Sequence, residues 1–265
     1  MSTIRFEHVF KSFHENVVLR DFSMEVRPAE TKIILGGGGS GKTTILKMVL
    51  GLVKPDSGRI FIEDQEITQL TEAELMPIRK RIGMVFQEGA LFDSLTVGEN
   101  VAFRMREAGT HSEEEIDGVV RQLLGFVELG HAIDKFPSEL SGGMIRRAGI
   151  ARALVGHPSI LLYDAPTAGL DPITSRTICE LVMKLRDLEG VASIFVTHDL
   201  ESALTVASEF AETLPNGEVV FKNEDNNLCL VNTRFLMLKE GNIIFEGSDE
   251  ALRSSDDSYI QEFLS

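Results

Sequence analysis

The sequence predicts an α/β fold in which a mainly parallel sheet carries an antiparallel β lobe and an inserted α-helical subdomain. Three observations predict it. Short apolar runs alternate with stretches of helical periodicity, which favours parallel strands joined by helices. Between Ile4 and Val26, apolar and polar residues alternate in two stretches, as in a half-exposed antiparallel sheet. A long helical region, from about Ser94 to Gly156, interrupts the strand–helix alternation.

The elements of the first third follow in chain order. The apolar run Thr31 to Leu35 predicts a buried strand, and Thr43 to Leu50 has helical spacing. Gly58 to Glu63 is a second alternating stretch of this kind and follows a turn-like segment. Glu72 to Arg81 predicts a helix, and Gly83 to Gln87 predicts another buried strand that ends at Gln87.

The last third repeats the pattern. Ser159 to Asp164 is a compact apolar run typical of a fully buried strand. Asp171-Pro172 supplies an N-cap and a first-turn proline for a helix that we expect to end at Gly190. Val191 to Thr197 predicts one more buried strand. Residues 218–246 predict a small β meander with turns at KNEDNN and EGN.

A glycine-rich loop, LGGGGSGKTT at residues 35–44, lies between the first predicted buried strand and the helix after it. It fits the G-x-x-x-x-G-K-[ST] phosphate-loop pattern. Glycines let backbone N–H groups surround a phosphate, and the helix end adds its positive dipole. The predicted nucleotide-binding residues here are Gly36, Gly37, Gly38, Gly39, Ser40, Gly41, Lys42, Thr43 and Thr44. Lys42 would reach the β- and γ-phosphates, and Thr43 would bind Mg²⁺.

The motif alone leaves several alternatives open. A flexible glycine linker that happens to precede a lysine would look similar, although the strand and helix on either side argue for a nucleotide site. Kinases, GTPases and many ATPases share such a loop.

Composition excludes some classes of function. The net charge of −15 over 265 residues disfavours general binding of nucleic acid or of anionic lipid. Two cysteines, Cys179 and Cys229, favour a reducing compartment. The first residues lack a signal-peptide core, and no apolar run approaches the ~18–20 residues that span a bilayer. We therefore expect any membrane role to come through another subunit.

A second candidate phosphate-binding helix end occurs about 100 residues after the first. The peptide Leu140 to Met144 reads LSGGM, in which Ser141 can cap a helix. Gly142 and Gly143 would let the backbone approach an anion closely. With the phosphate loop and the strand ending in Asp164, this peptide makes the chain resemble the ATP-binding-cassette (ABC) ATPases along nearly its whole length.

The resemblance implies a P-loop NTPase fold with a RecA-like core, ATP and Mg²⁺ as cofactors, and a head-to-tail homodimer. In such a dimer Ser141, Gly142 and Gly143 would contact the nucleotide held by the other subunit. We expect one ABC ATPase domain over residues 1–265. Its parts would be a nucleotide-binding core with the β lobe (1–88 and 159–247), a helical signature subdomain (89–158) and a C-terminal helical tail (248–265).

The resemblance also implies roles for single residues. Gln87 would be the Q-loop residue that senses Mg²⁺ and the attacking water, and Asp164 the Walker B carboxylate that meets Mg²⁺. Asp171 would belong to the D-loop that communicates between the two sites. His198, in VTHD, would be the switch histidine at the γ-phosphate. Phe13 would stack on adenine.

One departure from the family changes the expected chemistry. Relatives commonly carry glutamate after the Walker B aspartate, where it orients or deprotonates the attacking water. This chain has Ala165, which can do neither. General-base assistance is typically worth ~10²–10⁴-fold in rate, so we expect ATP binding with impaired hydrolysis. A naturally degenerate member and a variant altered to trap the ATP-bound dimer both fit, and the intact neighbouring motifs favour the second.

The residues around Gln87 and those in and after the LSGGM peptide indicate a subfamily of ABC ATPases. Met144 with the pair Arg146-Arg147 looks like the ATPases of Mla- and Mce-type lipid-trafficking systems. Transmembrane permeases and other lipid-transport components would then be partners, at the cytoplasmic face of the inner membrane. The apolar residues near Gln87 that would suit permease docking are Ala90, Leu91, Phe92 and Leu95.

Two other functions remain open. An ABC ATPase for another solute would share every motif. A soluble ABC protein would use ATP binding as a dimerisation switch, for example in DNA repair or translation. The acidic charge balance and the lack of a coiled coil disfavour the DNA-repair version.

Overall fold

The computed structural model describes residues 2–223 and 231–264. The strands are β1 (Ile4–Phe13), β2 (Asn16–Val26), β3 (Thr31–Gly36), β4 (Ser57–Ile62), β5 (Gln65–Glu66), β6 (Ile82–Val85), β7 (Ile160–Asp164), β8 (Ala192–Val196), β9 (Glu209–Thr213), β10 (Val219–Asn223), β11 (Thr233–Lys239) and β12 (Asn242–Gly247). The helices are α1 (Lys42–Val49), α2 (Glu72–Arg79), α3 (Val97–Ala108), α4 (Glu113–Phe126), α5 (Gly142–Ala153), α6 (Pro172–Asp187), α7 (Leu200–Ser208), α8 (Asp249–Arg253) and α9 (Ser258–Leu264).

The central sheet has six strands in the order β12-β11-β3-β8-β7-β6, and all neighbours except β12 and β11 pair in parallel. Strands β3 and β8 are buried along their whole length because helices or the β lobe cover both faces of the sheet. This is why they read as unbroken apolar runs rather than as alternating ones. The predicted α/β fold is confirmed.

The antiparallel lobe is a four-stranded sheet in the order β2-β1-β4-β5. Its inward residues pack with α1 and one face of the central sheet in a single hydrophobic cluster. Phe6 and Phe22 meet edge to face there, with ring centroids 5.4 Å apart. The lobe therefore lies directly beside the loop that leads into α1.

Helices α3, α4 and α5 lie between β6 and β7 in the chain. Ser112 caps α4, and its side chain forms a capping box with Glu115. Ile116, Val120 and Leu123 are buried on one face of α4, at the spacing of an amphipathic helix. Helix α5 packs against α3, α4 and α6, so it joins the helical segment to the rest of the molecule.

The prediction of one β meander over residues 218–246 is wrong. Strand β10 pairs with β9 in a separate two-stranded sheet, whereas β11 and β12 belong to the central sheet. The four residues from Phe235 to Leu238 are all buried, which marks β11 as an interior parallel strand rather than a half-exposed one. The EGN turn joins β11 to β12 as expected, but most of the KNEDNN turn lies outside the described residues.

A buried arginine anchors the β9–β10 hairpin. The Arg186 guanidinium donates to the carbonyls of Val206 and Glu209, at 2.6 and 2.7 Å, and to Thr233 Oγ1 at 2.7 Å. Asp187 pairs with it and also accepts the backbone N–H of Ala211. Removing one partner of such a buried pair costs about 3–5 kcal/mol, so the hairpin is firmly held on α6.

Across the described ranges, none of the helices has both the length and the apolar character needed to cross a membrane.

Candidate functional site

The glycine-rich loop connects β3 to α1 and depends on its glycines for shape. Gly39 and Gly41 have φ angles of 75° and 101°, in the left-handed region that side chains disfavour. A β-carbon on Gly41 would lie 3.0 Å from Val18 in the β lobe. At the start of the loop, a β-carbon on Gly36 would lie 2.5 Å from the carbonyl oxygen of Leu238. The loop is therefore packed between β2 and the end of β11.

Lys42, the first residue of α1, turns its amine back into the loop. Its Nζ donates to the carbonyls of Gly36 and Gly37, at 2.7 and 2.8 Å, and to Ser40 Oγ at 3.2 Å. Burial lowers the pKa of this amine, and the charge of Asp164 opposes that shift. The ammonium group thus lies inside the loop, with hydrogen-bond partners that a phosphate could replace.

The hydroxyl of Thr43 meets the carboxylate predicted for the metal. Thr43 Oγ1 donates to Asp164 Oδ1 at 3.1 Å, although the two residues are 121 positions apart. Parallel pairing of β3, β8 and β7 brings the carboxyl ends of these strands to one edge of the sheet. Hydroxyl and carboxylate oxygens are ligands that suit Mg²⁺, which usually takes few protein ligands and keeps phosphate and water oxygens. The pair fits that ion.

Ala165 follows Asp164 with a left-handed backbone, at φ 46°. Its N–H donates to the carbonyl of Val196 at 2.8 Å, and its carbonyl accepts from Ala168 N at 3.2 Å. These bonds hold a conformation that costs about 1–2 kcal/mol for a non-glycine residue. The residue is buried, and its methyl group offers no atom for proton transfer.

His198 is exposed at the end of β8, and its ring makes no hydrogen bond within the part of the chain that the structure describes. The residue after it is tightly held. Asp199 accepts from Thr167 Oγ1 at 3.0 Å, from Ser202 N at 3.2 Å and from Ser202 Oγ. It therefore caps α7 and ties it to the loop after β7. Asp199 was not among the predicted residues, although an aspartate just before a helix is a cap signal.

Gln87 does not end a strand, contrary to the prediction. Strand β6 stops at Val85, and Gln87 is exposed in a tight turn closed by a bond from Gly89 N to Phe86 O. Among the described residues it has no hydrogen bond to Thr43 or Asp164. The strand stops early because only Ile82–Val85 pairs with β7.

The LSGGM peptide begins α5 as predicted. Ser141 caps the helix, and its Oγ accepts from Met144 N at 3.3 Å. Gly142 is exposed, whereas a β-carbon on Gly143 would lie 2.2 Å from Thr174 Cγ2. Helix α6 begins beside it, capped by Asp171, which accepts from Thr174 N and Oγ1 at 3.0 and 2.6 Å. These hydrogen bonds lower the pKa of Asp171.

Phe13 is 43% exposed at the end of β1 and lies opposite Asn16 in the β1–β2 hairpin. The Lys11 amine lies 5.1 Å from its ring centroid. Asp56 holds Lys11 at 2.7 Å and also accepts from Ser12 N and Oγ. An exposed, braced aromatic ring near the strand that contacts Gly41 suits stacking on a base.

Most of the predicted site residues thus form two clusters in one chain, and Gln87, His198 and Phe13 belong to neither. The phosphate loop and Asp164 make the first, and Ser141, Gly143 and Asp171 make the second. No hydrogen bond joins the two clusters in residues 2–223 and 231–264. Within the same ranges no group of three or more His, Cys, Asp or Glu side chains is arranged to hold a metal.

Comparison with known proteins identifies relatives. The sequence profile of the family described as ABC transporter matches residues 19–168. The probable ribonucleotide transport ATP-binding protein mkl of Mycobacterium leprae is 34% identical over 254 residues, covering 96% of this chain and 66% of that protein. The intermembrane phospholipid transport system ATP-binding protein MlaF of Haemophilus influenzae is 34% identical over 250 residues, covering 94% and 85%.

The chain spans slightly less than two thirds of the length of the mycobacterial relative. Among solved structures, a dimeric post-hydrolysis state of the ATP-binding cassette MJ0796 bound to ADP and Pi has a TM-score of 0.75. It is 31% identical, with 92% of this chain and 98% of that chain covered.

Proposed function

The chain belongs to the ABC transporter family, and from that membership we propose that it is an ATP-binding subunit that closes as a homodimer around Mg-ATP to drive transport. The observation that carries the proposal is the convergence of Lys42 with the Thr43–Asp164 pair at the end of the phosphate loop. An ammonium group and two hard oxygen ligands, placed at a helix N-terminus, suit a metal-bound triphosphate.

The residues around the phosphate loop each bind a different part of Mg-ATP. Lys42 exchanges its bonds to the Gly36 and Gly37 carbonyls for phosphate oxygens, which keeps its charge paired. Thr43 and Asp164 would hold Mg²⁺, which would neutralise phosphate charge. Phe13 packs its exposed ring on the adenine. The backbone N–H groups of residues 37–44 surround the phosphates.

The second cluster acts on the nucleotide of a second copy. Ser141 and the N-terminus of α5 are exposed and are not hydrogen bonded to the phosphate loop of their own chain, so they are free to approach an anion outside it. Asp171, at the neighbouring helix end, lies in the same surface. The dimeric cassette MJ0796, crystallised with ADP and Pi, supports this arrangement by analogy.

Hydrolysis is impaired in this chain. Catalysis needs a group that accepts a proton from the attacking water, and Ala165 provides none. Gln87 and His198 would contact the water and the γ-phosphate, but neither would replace a carboxylate base. Binding without turnover makes the closed dimer accumulate.

Phospholipid or a related lipid is the cargo we favour. The support is the relation to MlaF, whose name specifies phospholipid transport, together with Met144, Arg146 and Arg147 in the signature helix. The comparable identity to a protein named for ribonucleotide transport keeps a different solute as the second candidate.

A transmembrane permease docks beside Gln87, at the cytoplasmic face of the membrane. Phe86 and Phe92 are 42% and 44% exposed there. The Phe92 ring packs at a tilt against Phe103, with ring centroids 4.7 Å apart. Exposed aromatic side chains on a braced loop are typical of protein-binding surfaces. Other lipid-transport components reach this subunit through the permease.

Light scattering after size exclusion tests the proposal. With Mg-ATP the chain should elute as a dimer, and without nucleotide as a monomer. The variant Ser141→Arg should still bind Mg-ATP in its own phosphate loop but remain monomeric, because its bulk and charge block the facing site. Glu139→Arg, which adds the same side chain near the cap, is the matched control. Failure of the chain to dimerise with Mg-ATP contradicts the proposal.

A different experiment distinguishes a transport subunit from a soluble protein that uses ATP binding only to dimerise. A chain that powers transport should co-purify with a hydrophobic permease from membranes of its own cells. Replacement of Phe92 by Ser should abolish this association without changing Mg-ATP binding. Association of a soluble complex only, with no membrane protein, favours the switch.

A further inference from the structure

Helix α5, which begins with the LSGGM signature peptide, holds the Q-loop turn (residues 86–90) through Arg152 and Ile145. Arg152 donates to the carbonyls of Gly89 and Ala90, at 2.9 and 2.6 Å. A β-carbon on Gly89 would lie 2.6 Å from Ile145 of the same helix. The far end of the turn is therefore fixed on α5, whereas Gln87 and Glu88 at its near end are exposed.

The same helix holds the D-loop (residues 167–171). Arg146 is only 7% exposed, and its Nη2 donates to the carbonyl of Ala168 at 3.0 Å. Its Nε is buried and has no hydrogen-bond partner among residues 2–223 and 231–264. A buried guanidinium donor left unpaired is costly, and native structures rarely keep one without a reason.

One acidic side chain is placed to supply the missing partner. Burial lowers the pKa of Arg146, and the negative charge of Glu88 acts in the opposite direction. Glu88 is exposed, and its carboxylate makes no hydrogen bond or ion pair within the described ranges. Glu88 and Arg146 are the chain neighbours of Gly89 and Ile145, which pack closely, so the two charges lie on adjoining segments without a hydrogen bond between them.

Movement of Gln87 would carry Glu88 with it. Gln87 makes no hydrogen bond to the Thr43–Asp164 pair among the described residues, so it must shift to contact a metal held there. This step rests on the proposed function. Since Arg152 fixes the far end of the turn, the shift is confined to the segment that contains Glu88.

We propose that Arg146 is a positioning residue that joins the two loops: it holds the D-loop through Ala168, and it gains the Glu88 carboxylate when Gln87 moves to Mg-ATP. The carboxylate pairs with the free Nε beside the Nη2 that already binds Ala168. An ion-paired guanidinium is fixed in place, so the Ala168 bond becomes firmer. The Q-loop thereby rigidifies the D-loop of its own chain.

Hydrogen exchange of the peptide 165–171 tests this coupling. In Mg-ATP, Glu88→Gln should raise D-loop exchange about threefold to tenfold, the effect of losing one net hydrogen bond. Without nucleotide the same variant should match the unaltered chain, because the pair is then unformed. Asp93→Asn makes the same change of charge at an exposed position nearby, and it should have no effect in either condition.

Variants of the arginine complete the test. Arg146→Gln should raise D-loop exchange with and without nucleotide, because it removes the Ala168 bond as well. Adding Glu88→Gln to it should change nothing further. Arg146→Lys keeps the charge but cannot hold both partners, so it should fail to restore protection.

Two results would overturn the inference: D-loop exchange in Glu88→Gln equal to that in Asp93→Asn with Mg-ATP present, or additive effects in the double variant. A chain that binds Mg-ATP but stays monomeric contradicts the proposed dimer instead, and the exchange comparison remains readable in that monomer. Glu88 is exposed, so its variant tests the coupling even if Arg146 variants unfold.

Discussion

The hydroxyl of Thr43 and the carboxylate of Asp164 lie 3.1 Å apart, joined by a hydrogen bond between the start of α1 and the end of β7. Parallel pairing of β3, β8 and β7 brings the two segments together, so the fold itself sets the distance between the hydroxyl and the carboxylate. A site built in this way loses little conformational freedom on binding, which favours affinity.

Removal of the Thr43 hydroxyl should separate metal binding from nucleotide binding. Thr43→Val keeps the shape of the side chain, and we expect Mg²⁺ to bind roughly 10- to 100-fold more weakly, as when a supporting group of a metal site is lost. The measurement is ATP affinity by calorimetry with and without Mg²⁺. Thr44→Val is the matched control and should keep the Mg²⁺ dependence; equal loss in both variants would argue against Thr43 as a ligand.

Restoring a carboxylate at position 165 should restore turnover. Ala165→Glu is expected to raise the rate of phosphate release by ~10²–10⁴-fold, the usual value of general-base assistance. Ala165→Gln has nearly the same size without the base and should stay slow. Turnover of the unaltered chain comparable to that of Ala165→Glu would refute impaired hydrolysis.

Close approach of α5 and α6 makes Gly143 sensitive to substitution. Gly143→Ala places a methyl group 2.2 Å from Thr174 Cγ2 and should destabilise the chain by about 1–3 kcal/mol through overpacking. Thr174→Ser removes that methyl group but keeps the hydroxyl bonded to Asp171. The double variant should therefore recover most of the loss in urea unfolding. Without such recovery, the helix contact is not the cause.

Acid should weaken the hydrogen bonds of Asp56 to Lys11 and Ser12, beside Phe13. Hydrogen bonds from Lys11 and Ser12 lower the pKa of Asp56 from 3.8 to about 2. A folded-state pKa below the unfolded value means that the carboxylate stabilises the fold fully above about pH 4. That contribution is lost as the pH falls through about 2. The difference in unfolding free energy between the unaltered chain and Asp56→Asn should shrink over this window; a constant difference would contradict the assignment.

Local sequence predicted the elements that position the nucleotide. Strands β3, β7 and β8 are buried on both faces, so each reads as a compact apolar run bounded by turn or cap residues. The caps Ser141 and Asp171 were found for the same reason, since capping depends on a few adjacent residues. The phosphate-loop glycines were predictable because the backbone shape of such a loop requires glycine.

Other features depend on contacts between distant segments, although β11 does carry the unbroken apolar run Phe235 to Leu238 that is typical of a buried strand. Strand β6 stops before Gln87 because its pairing with β7 ends at Val85. Strand β11 lies in the interior of the sheet because it pairs in parallel with β3. The left-handed Ala165 is held by Val196, on another strand. The unpaired Nε of Arg146 likewise becomes visible only once α5 is packed.

The Arg186 network lies at the opposite edge of the sheet from the phosphate loop. It bonds Thr233, which pairs with Thr31 at the start of β3, whereas the loop begins at Gly36, about 16 Å further along the strand. The hairpin held by this network leads to an exposed turn at Asn216 and Gly217, where a spin label or fluorophore can be attached without altering a residue of either cluster. Pulsed distance measurements between two labelled copies could then follow opening and closing with the chemistry unperturbed.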